Sequence, residues 1–374
     1  MQTLSGQRAS MQGCSSTQRC AAPRFSGSVA GFQAVQRPRS TAARAWSAGG
    51  GAAQISAAPR AAPRMPRPAR RRDMRPAAAV LAAAEPGKTT LGFVGIGIMG
   101  LAMTNNLIKA GYRVVVWNRN PEKCAPLKAA GAEVAGSASE VASKAEITFA
   151  MLSDPEAAAA VAGDLVTGLG PGKGYVDVST VDAETSAAIA AQVRAAGALF
   201  LEAPVSGSKG PAEQGQLIFL CAGDRALFDA AAGPLDVMGK KAFYLGEVGA
   251  GAHMKLVVNM VMGSMMASFA EGLSLADQLG LSQQDMLDVV ALGAIASPMF
   301  ALKGPNMAKG SYPTAFPLKH QQKDLRLALA AADAAGQPLG VAAAANDLYI
   351  RAKGLGHGDA DFSAVLAAVQ KQQQ

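Results

Sequence analysis

Lys255 is the only formally charged residue between Glu247 and Glu271 when His253 is counted as neutral. It stands in the apolar run GAGAHMKLVVNMVMG, which reads as helix, and Asn259 lies four residues on, on the same face. A buried ammonium is costly unless it is paired or used, and burial makes its pKa tunable, which suits proton transfer. Lys255 and Asn259 therefore read as a catalytic pair: an ammonium and an amide presented to one carbonyl oxygen. The competing reading is a snorkelling lysine near a helix start, with its head in water.

A second chemistry is written in Leu91–Arg119, LGFVGIGIMGLAMTNNLIKAGYRVVVWNR. An apolar strand-like run meets Gly95, Gly97 and Gly100 in GxGxxG spacing, then a helical pattern and a second strand-like run. In that setting the glycines permit a tight turn and close approach of a pyrophosphate, and the helix start offers free N–H groups to it. The candidate cofactor residues are Gly95, Ile96, Gly97, Ile98, Met99 and Gly100, with Leu152 and Ser153 at the end of the run EITFAML. The second strand ends in Trp117-Asn118-Arg119-Asn120, with no acid until Glu122. A carboxylate there would serve a ribose 2′-OH and repel a 2′-phosphate, whereas an arginine pairs with phosphate. Asn118 and Arg119 therefore favour NADPH; the alternative is a solvated surface arginine.

Two further stretches end at positions where a ligand could bind. EAPVSGSKG, from Glu202, follows a strand, and the hydroxyls and N–H groups around Ser206 and Gly207 could hold a carboxylate. An ordinary Gly/Ser/Pro connection is the plainer reading. Asp177-Val178-Ser179-Thr180 ends another strand, where Thr180 could line the same edge, or Thr180 or Asp182 could cap the helix that follows. FPLKHQQKDLRLAL, Phe316–Leu329, gathers Lys319, His320, Lys323, Asp324 and Arg326 near a helix start. Asp324 could orient a lysine and Lys323 could reach cofactor phosphate; a solvated charged face is the alternative.

The elements that must position these residues fall into two groups. Strand-like runs at 91–96, 112–117, 133–135, 146–152, 175–179, 199–204, 217–223 and 242–246 alternate with Ala-rich helical segments. That alternation predicts an α/β fold, a mainly parallel, doubly wound Rossmann-type sheet over residues 88–247. Beyond it, long Ala/Leu/Met segments predict an all-helical domain over 248–374. Its first helix, roughly Ala250–Leu279, is apolar on most faces and should be buried at the domain's centre or in a subunit interface of a homo-oligomer.

The formal charge of +8 is unevenly distributed. Residues 1–85 hold 13 Arg against two acids, Asp73 and Glu85, while the remainder has 22 basic and 25 acidic residues. The basic pI is thus no argument for nucleic-acid binding. The Arg- and Ser-rich, acid-poor leader has the composition of a transit peptide, for the chloroplast or alternatively the mitochondrion, with cleavage between about 70 and 88. The run Pro66–Arg72 would otherwise read as a basic arm for nucleic acid or membrane. Cys124 and Cys221 are isolated, and His253, His320 and His357 are far apart, so neither a disulfide framework nor a metal site is expected. No run reaches the ~20 uncharged apolar residues of a membrane span. The longest candidate, Leu256–Ala270, contains Asn259.

Taken together, the four stretches resemble the β-hydroxyacid dehydrogenases, which include 3-hydroxyisobutyrate dehydrogenase, tartronate semialdehyde reductase and 6-phosphogluconate dehydrogenase. The family's dinucleotide motif corresponds to GFVGIGIMGLAMTNNLIKAGY, its substrate motif to EAPVSGS, its lysine motif to Gly249, Gly251, Lys255 and Asn259, and its K-D-L motif to Lys323, Asp324 and Leu325. Glu202 stands where the family usually has Asp, Ser208 where it has a second Gly, and Arg326 where a Gly is common. EAPVSGSKGPAEQGQL, WNRNPEKC and FPLKHQQKDLRLAL look like the plant-type glyoxylate/succinic semialdehyde reductase branch. The resemblance implies Lys255 as general acid, with Ser206, Thr180, Phe316 and Asp324 around a small aldehyde-acid substrate. It implies a Rossmann domain followed by a helical one. The alternatives are an NAD-linked 3-hydroxyisobutyrate or tartronate semialdehyde type of dehydrogenase, and a non-catalytic NADP-binding scaffold.

Overall fold

The computed structural model describes residues 81–370, so nearly all of the expected leader lies outside the described residues. Its last residues are held by the body. Ala84 is buried, its N–H donates to Ala230 O (2.9 Å), and Tyr112 Oη donates to its carbonyl (3.2 Å). The packed chain thus includes residues ahead of the expected start at 88.

The strands are β1 (Thr90–Val94), β2 (Arg113–Trp117), β3 (Glu133–Val134), β4 (Ile147–Ala150), β5 (Gly174–Asp177), β6 (Leu199–Glu202), β7 (Val205–Ser206), β8 (Leu217–Gly223) and β9 (Gly239–Tyr244). They form one nine-stranded sheet in the order β3-β2-β1-β4-β5-β6-β8-β7, with β9 beside β8. The pairs from β3 to β6 are parallel; β8 runs antiparallel to β6 and β7, and β9 parallel to β8. The helices α1 (Ile98–Lys109), α2 (Ala125–Ala129), α3 (Ala138–Lys144), α4 (Pro155–Leu165), α5 (Ala183–Ala195), α6 (Lys209–Glu213), α7 (Arg225–Ala230) and α8 (Ala232–Met238) accompany it. The central strands β4 and β5 are buried at every position. Phe93 stacks on Phe149 (6.2 Å) in one layer of core, and Val94, Ala150 and Tyr175 pack with Val141, Ala158 and Ile189 in the other. A sheet covered on both faces needs such strands.

Strand order reverses between β1 and β4, which is where a doubly wound sheet opens a crevice at its carboxyl edge. Two expected strands end early there for local reasons. β1 stops at Val94 because Gly95 turns to φ +91°. The expected 199–204 strand breaks at Ala203-Pro204, and Val205–Ser206 crosses to pair with β8 as the unforeseen β7.

The second half is helical: α9 (Ala250–Gln278), α10 (Gln283–Leu292), α11 (Pro298–Ala308), α12 (Leu318–Ala334), α13 (Gly340–Ala352) and α14 (Leu366–Val369). By length and composition alone α9 is apolar enough to cross a membrane, a helix the expected run Leu256–Ala270 undercounted. In the fold it is a core helix on one side. Gly251, Lys255, Leu256, Asn259, Gly263 and Met266 are buried, with α12, α13 and β8 against the helix. Its other face, Met254, Val257, Val258, Val261 and Met265, is exposed within the chain. Of the two expected forms of burial, the domain's centre accounts for one flank only, because the other helices cover no more of α9 within the chain.

Candidate active site

At the switch point the Gly95–Gly100 turn is built so that backbone, rather than side chain, lines the cradle. A Cβ on Gly100 would sit 2.0 Å from Gly95 O, and one on Gly95 2.3 Å from Met151 O. Gly97 faces open space and is the N-cap of α1 without a side-chain cap, and no acid occupies the first turn. The N–H groups at Ile98, Met99 and Gly100 are thus left for an anion, at the positive end of the helix dipole.

Asn118 does something the sequence did not disclose. Its Oδ1 accepts Ile96 N (2.9 Å) and its Nδ2 donates to Asn120 O (2.8 Å), so its side chain ties the glycine turn to the end of β2. The tie uses the amide oxygen and one of the two Nδ2 hydrogens, and it holds Asn118 beside Arg119 at the end of β2. That arginine is exposed and makes no hydrogen bond or ion pair among the described residues. On the other lip, Leu152 N donates to Ser179 Oγ (2.9 Å), and Ser153 Oγ contacts Asp154 Oδ2 (2.5 Å), the N-cap of α4. Asp177 serves this lip too: it is buried, it accepts Ser179 N (2.9 Å), and burial raises its pKa to about 6. The cap of α5 is Asp182 rather than Thr180, whose backbone carbonyl instead accepts from Lys323.

The lysine helix is anchored by Glu202, a residue notable in the sequence only as a departure from the family's Asp. It is buried at the end of β6. Its Oε1 accepts Gly249 N (2.8 Å), Gly251 N (2.7 Å) and Ala252 N (3.2 Å), and its Oε2 accepts Ser186 Oγ. One carboxylate thus satisfies the first N–H groups of α9 and complements its dipole. The glycine spacing follows from this grip. Gly249 adopts φ +100°, and a Cβ on Gly251 would meet Leu220 O at 2.3 Å and Glu202 Oε1 at 3.0 Å.

One turn into α9, Lys255 Nζ donates to Asn259 Oδ1 (2.9 Å), and Asn259 Nδ2 donates to Asp324 Oδ2 (2.6 Å). All three residues are buried. Hydrogen-bond logic fixes the amide's orientation, because an ammonium only donates and an ionised carboxylate only accepts. The structure adds the wiring: Asn259 turns its carbonyl to Lys255, and Asp324 reaches Lys255 through Asn259. Burial lowers the Lys255 pKa to about 8, with Asp324 opposing that shift and Lys323 adding to it. Gln321 supports the relay from below by donating to Asn259 O (2.9 Å), across the gap left by Gly263.

Lys323 joins the two halves of the site. Its Nζ donates to Thr180 O (2.5 Å) and lies 3.0 Å from Asp324 Oδ1. Ser206 sits half-buried on β7, followed by Gly207 at φ +126°. Phe316 is held by a residue that no motif announced. Asp361 Oδ2 accepts Ala315 N (3.1 Å) and Phe316 N (3.2 Å) and is paired with the buried Lys303 (2.8 Å). The ring of Phe316 packs between His320 and Phe362. Neither Lys303 nor Asp361 has a neighbour in sequence that signals the pairing.

The glycine cradle, the uncapped helix start and the free arginine fit a dinucleotide with a 2′-phosphate, and the lysine relay fits proton transfer at a carbonyl. Among the described residues no group of His, Cys, Asp and Glu side chains could hold a metal. Fold and site together define a nicotinamide-dependent oxidoreductase built from a Rossmann domain and a helical domain. Residues 90–246 match the model of the NAD binding domain of 6-phosphogluconate dehydrogenase, and residues 249–369 that of the NAD-binding domain of NADP-dependent 3-hydroxyisobutyrate dehydrogenase. The chain belongs to the β-hydroxyacid dehydrogenase family of NADP-dependent oxidoreductases. It is 58% identical to glyoxylate/succinic semialdehyde reductase 2, chloroplastic, of Arabidopsis thaliana, over 76% of this chain and 81% of that one. It is 56% identical to glyoxylate/succinic semialdehyde reductase 1 of the same plant, over 75% and 98%. Among solved structures it resembles the 3-hydroxyisobutyrate dehydrogenase of Mycobacterium tuberculosis, with a TM-score of 0.69, 30% identity, and coverage of 76% of this chain and 99% of that one.

Proposed function

We propose that the protein reduces short aldehyde acids, glyoxylate and succinic semialdehyde, with NADPH. The observation that carries the reading is the buried relay Lys255–Asn259–Asp324 beside the dinucleotide cradle. The two Arabidopsis relatives support the substrate class by their names. Ile98, Met99 and Gly100 offer N–H groups to the pyrophosphate, Arg119 pairs with the 2′-phosphate, and Leu152, Ser153 and Lys323 border the cofactor. The chemistry supplied by the bound cofactor is hydride transfer to the aldehyde carbon. Ser206 and the N–H groups around Gly207 hold the substrate carboxylate, Thr180 lines the cleft, and Phe316 gives it an apolar wall. Lys255 keeps one N–H on Asn259 and points another at the aldehyde oxygen. As negative charge gathers on that oxygen, the ammonium stabilises it and hands over its proton. A pKa near 8 suits this, since the lysine is mostly protonated at neutral pH yet close enough to give the proton up.

The leader directs the enzyme to an organelle, the plastid in this reading, on the strength of its composition and the relative named as chloroplastic. The exposed stripe Met254, Val257, Val261 and Met265 is the face through which copies of the chain would pair.

The deciding experiment uses protein lacking the leader. Turnover is measured with NADPH and NADH against glyoxylate, succinic semialdehyde and butanal, an aldehyde of matched length without the carboxylate. The two acids should be reduced with NADPH in strong preference to butanal, because a site built for a carboxylate leaves polar groups unpaired with the uncharged analogue. Equal kcat/KM for butanal and succinic semialdehyde would overturn the carboxylate anchor and the substrate class with it.

A further inference from the structure

Ser206 and the helix of Lys255 are both seated on β8. Ser206, on β7, pairs with Ile218, and Pro204 O accepts Leu220 N (3.0 Å). The carbonyl of that same Leu220 is the floor under the first turn of α9, because a Cβ on Gly251 would lie 2.3 Å from it. Glu202 holds the turn to this floor. It is buried in register with Ala222 of β8, four residues ahead of Ser206. Its Oε1 accepts Gly249 N, Gly251 N and Ala252 N at 2.8, 2.7 and 3.2 Å. Its Oε2 accepts Ser186 Oγ of α5, the helix that follows Thr180. Lys255 comes four residues after Gly251, so the helix's own hydrogen-bond ladder joins it to the gripped turn.

We infer that Glu202 is a positioning residue for proton transfer: it fixes the spacing between the proton donor Lys255 and the substrate anchor at Ser206. The inference rests on the functional reading above and deepens it. A small aldehyde acid spans a few bonds, so its oxygen meets Lys255 and its carboxylate meets Ser206 only at one separation of the two. Misplacing a reacting group by about 1 Å costs on the order of 10²-fold in rate. Ser206 stands on a two-residue strand, and the exposed flank of α9 has no neighbour within the chain to hold it, so neither group sets that separation alone. The reach of the side chain matters here. An aspartate, the family's usual residue at this place, would carry its carboxyl group about 1.5 Å less far, one C–C bond. The helix could not follow it inward, because Gly251 already has no room for a Cβ above Leu220 O. The shorter acid would therefore release the N–H groups of α9 or the hydroxyl of Ser186.

The test measures kcat and KM for both acids, the Kd for NADPH by fluorescence, and Tm, in Glu202→Asp, Glu202→Gln and Gly251→Ala. Glu202→Asp should lower kcat by about 10–100-fold for both acids, with KM and Kd within about twofold of wild type. Glu202→Gln keeps the length and an oxygen for the α9 N–H groups, and its amide can donate to Ser186 Oγ, so it should recover most of that loss. Gly251→Ala must lift the first turn off Leu220 O and should lower kcat in the same way. Joined with Glu202→Asp it should cost less than the product of the two single losses, because both displace one turn. If Glu202→Asp fails to fold, Gly251→Ala decides by the same criteria. A lowered Tm with kcat within about twofold of wild type would make Glu202 a stabilising cap only and overturn the inference. So would a loss shared equally by the Kd for NADPH; either result leaves the functional reading in place. A wild type that reduces neither acid overturns the functional reading and the positioning role with it.

Discussion

Around Gly95–Gly100 the donors are backbone N–H groups, held by Gly95 and Gly100, which no other residue could replace without striking Met151 O or Gly95 O. In the helical half the acting groups are side chains, Lys255, Asn259 and Asp324, and the backbone only delivers them. The first region is contained in a few consecutive residues. The second joins Asn259 to Asp324 across 65 positions of sequence. The contrast teaches that binding and proton transfer are separable here. One depends on a local turn whose shape is set by sterics, the other on a buried polar chain whose members are set by packing. The cross-links between them are Glu202, which grips α9 from the end of β6, and Lys323, which reaches back to Thr180.

Lys255→Ala should give the largest effect and the sharpest separation of the two regions. Removing a general acid lowers kcat by roughly 10²–10⁴-fold. The Kd for NADPH, read by fluorescence titration, should hardly move, because the one hydrogen bond of the Lys255 side chain among the described residues goes to Asn259, outside the cradle. Parallel losses of turnover and cofactor binding would break the division drawn here.

Arg119→Ala attacks the other region. Losing a charge-assisted pair with a phosphate should weaken NADPH binding by roughly 10–100-fold and leave NADH nearly untouched. The kcat at saturating NADPH should survive. Equal weakening with both cofactors would move the 2′-phosphate site elsewhere.

Asp324→Asn should have the smallest effect and the most specific one. The introduced amide still offers an oxygen to Asn259 Nδ2, so the geometry of the relay is kept. What is lost is the negative charge that opposes the burial-driven fall of the Lys255 pKa. Reduction needs the ammonium, so activity is present below about 8 and falls as the pH rises through it. Without the carboxylate that alkaline limb should move to lower pH, while the rate in mildly acidic buffer changes little. A pH–kcat profile checks the direction; an unmoved limb would detach Asp324 from Lys255.

Much of the fold was legible because its signals are local. Alternating strand and helix patterns placed the sheet, GxGxxG placed the turn, and Lys255 stood out as a lone charge in an apolar helix. Boundaries were read less well where one residue decides them, as at Gly95, which ends β1, and at Pro204, after which β7 forms. The site was legible as a set of residues but not as a wiring diagram. Asn118 is visible in the sequence as a candidate phosphate ligand, but the tie its amide makes between the glycine turn and β2 is not. Asp361 and Lys303, which hold the loop of Phe316, left no trace at all, since an ion pair between distant residues has no period and no motif.

Local residue order is enough to set the turn at Gly95–Gly100, the pairing of Lys255 and Asn259 on one face of α9, and the division into a sheet half and a helical half. Those features follow from backbone sterics and from the periods of helix and strand, which act between near neighbours. Long-range packing is what makes Glu202 cap α9, turns the carbonyl of Asn259 to Lys255 and leaves one flank of α9 bare. These depend on which donors and acceptors burial brings within hydrogen-bond range, and on how much surface the remaining helices can cover. Both are settled by packing distant segments together.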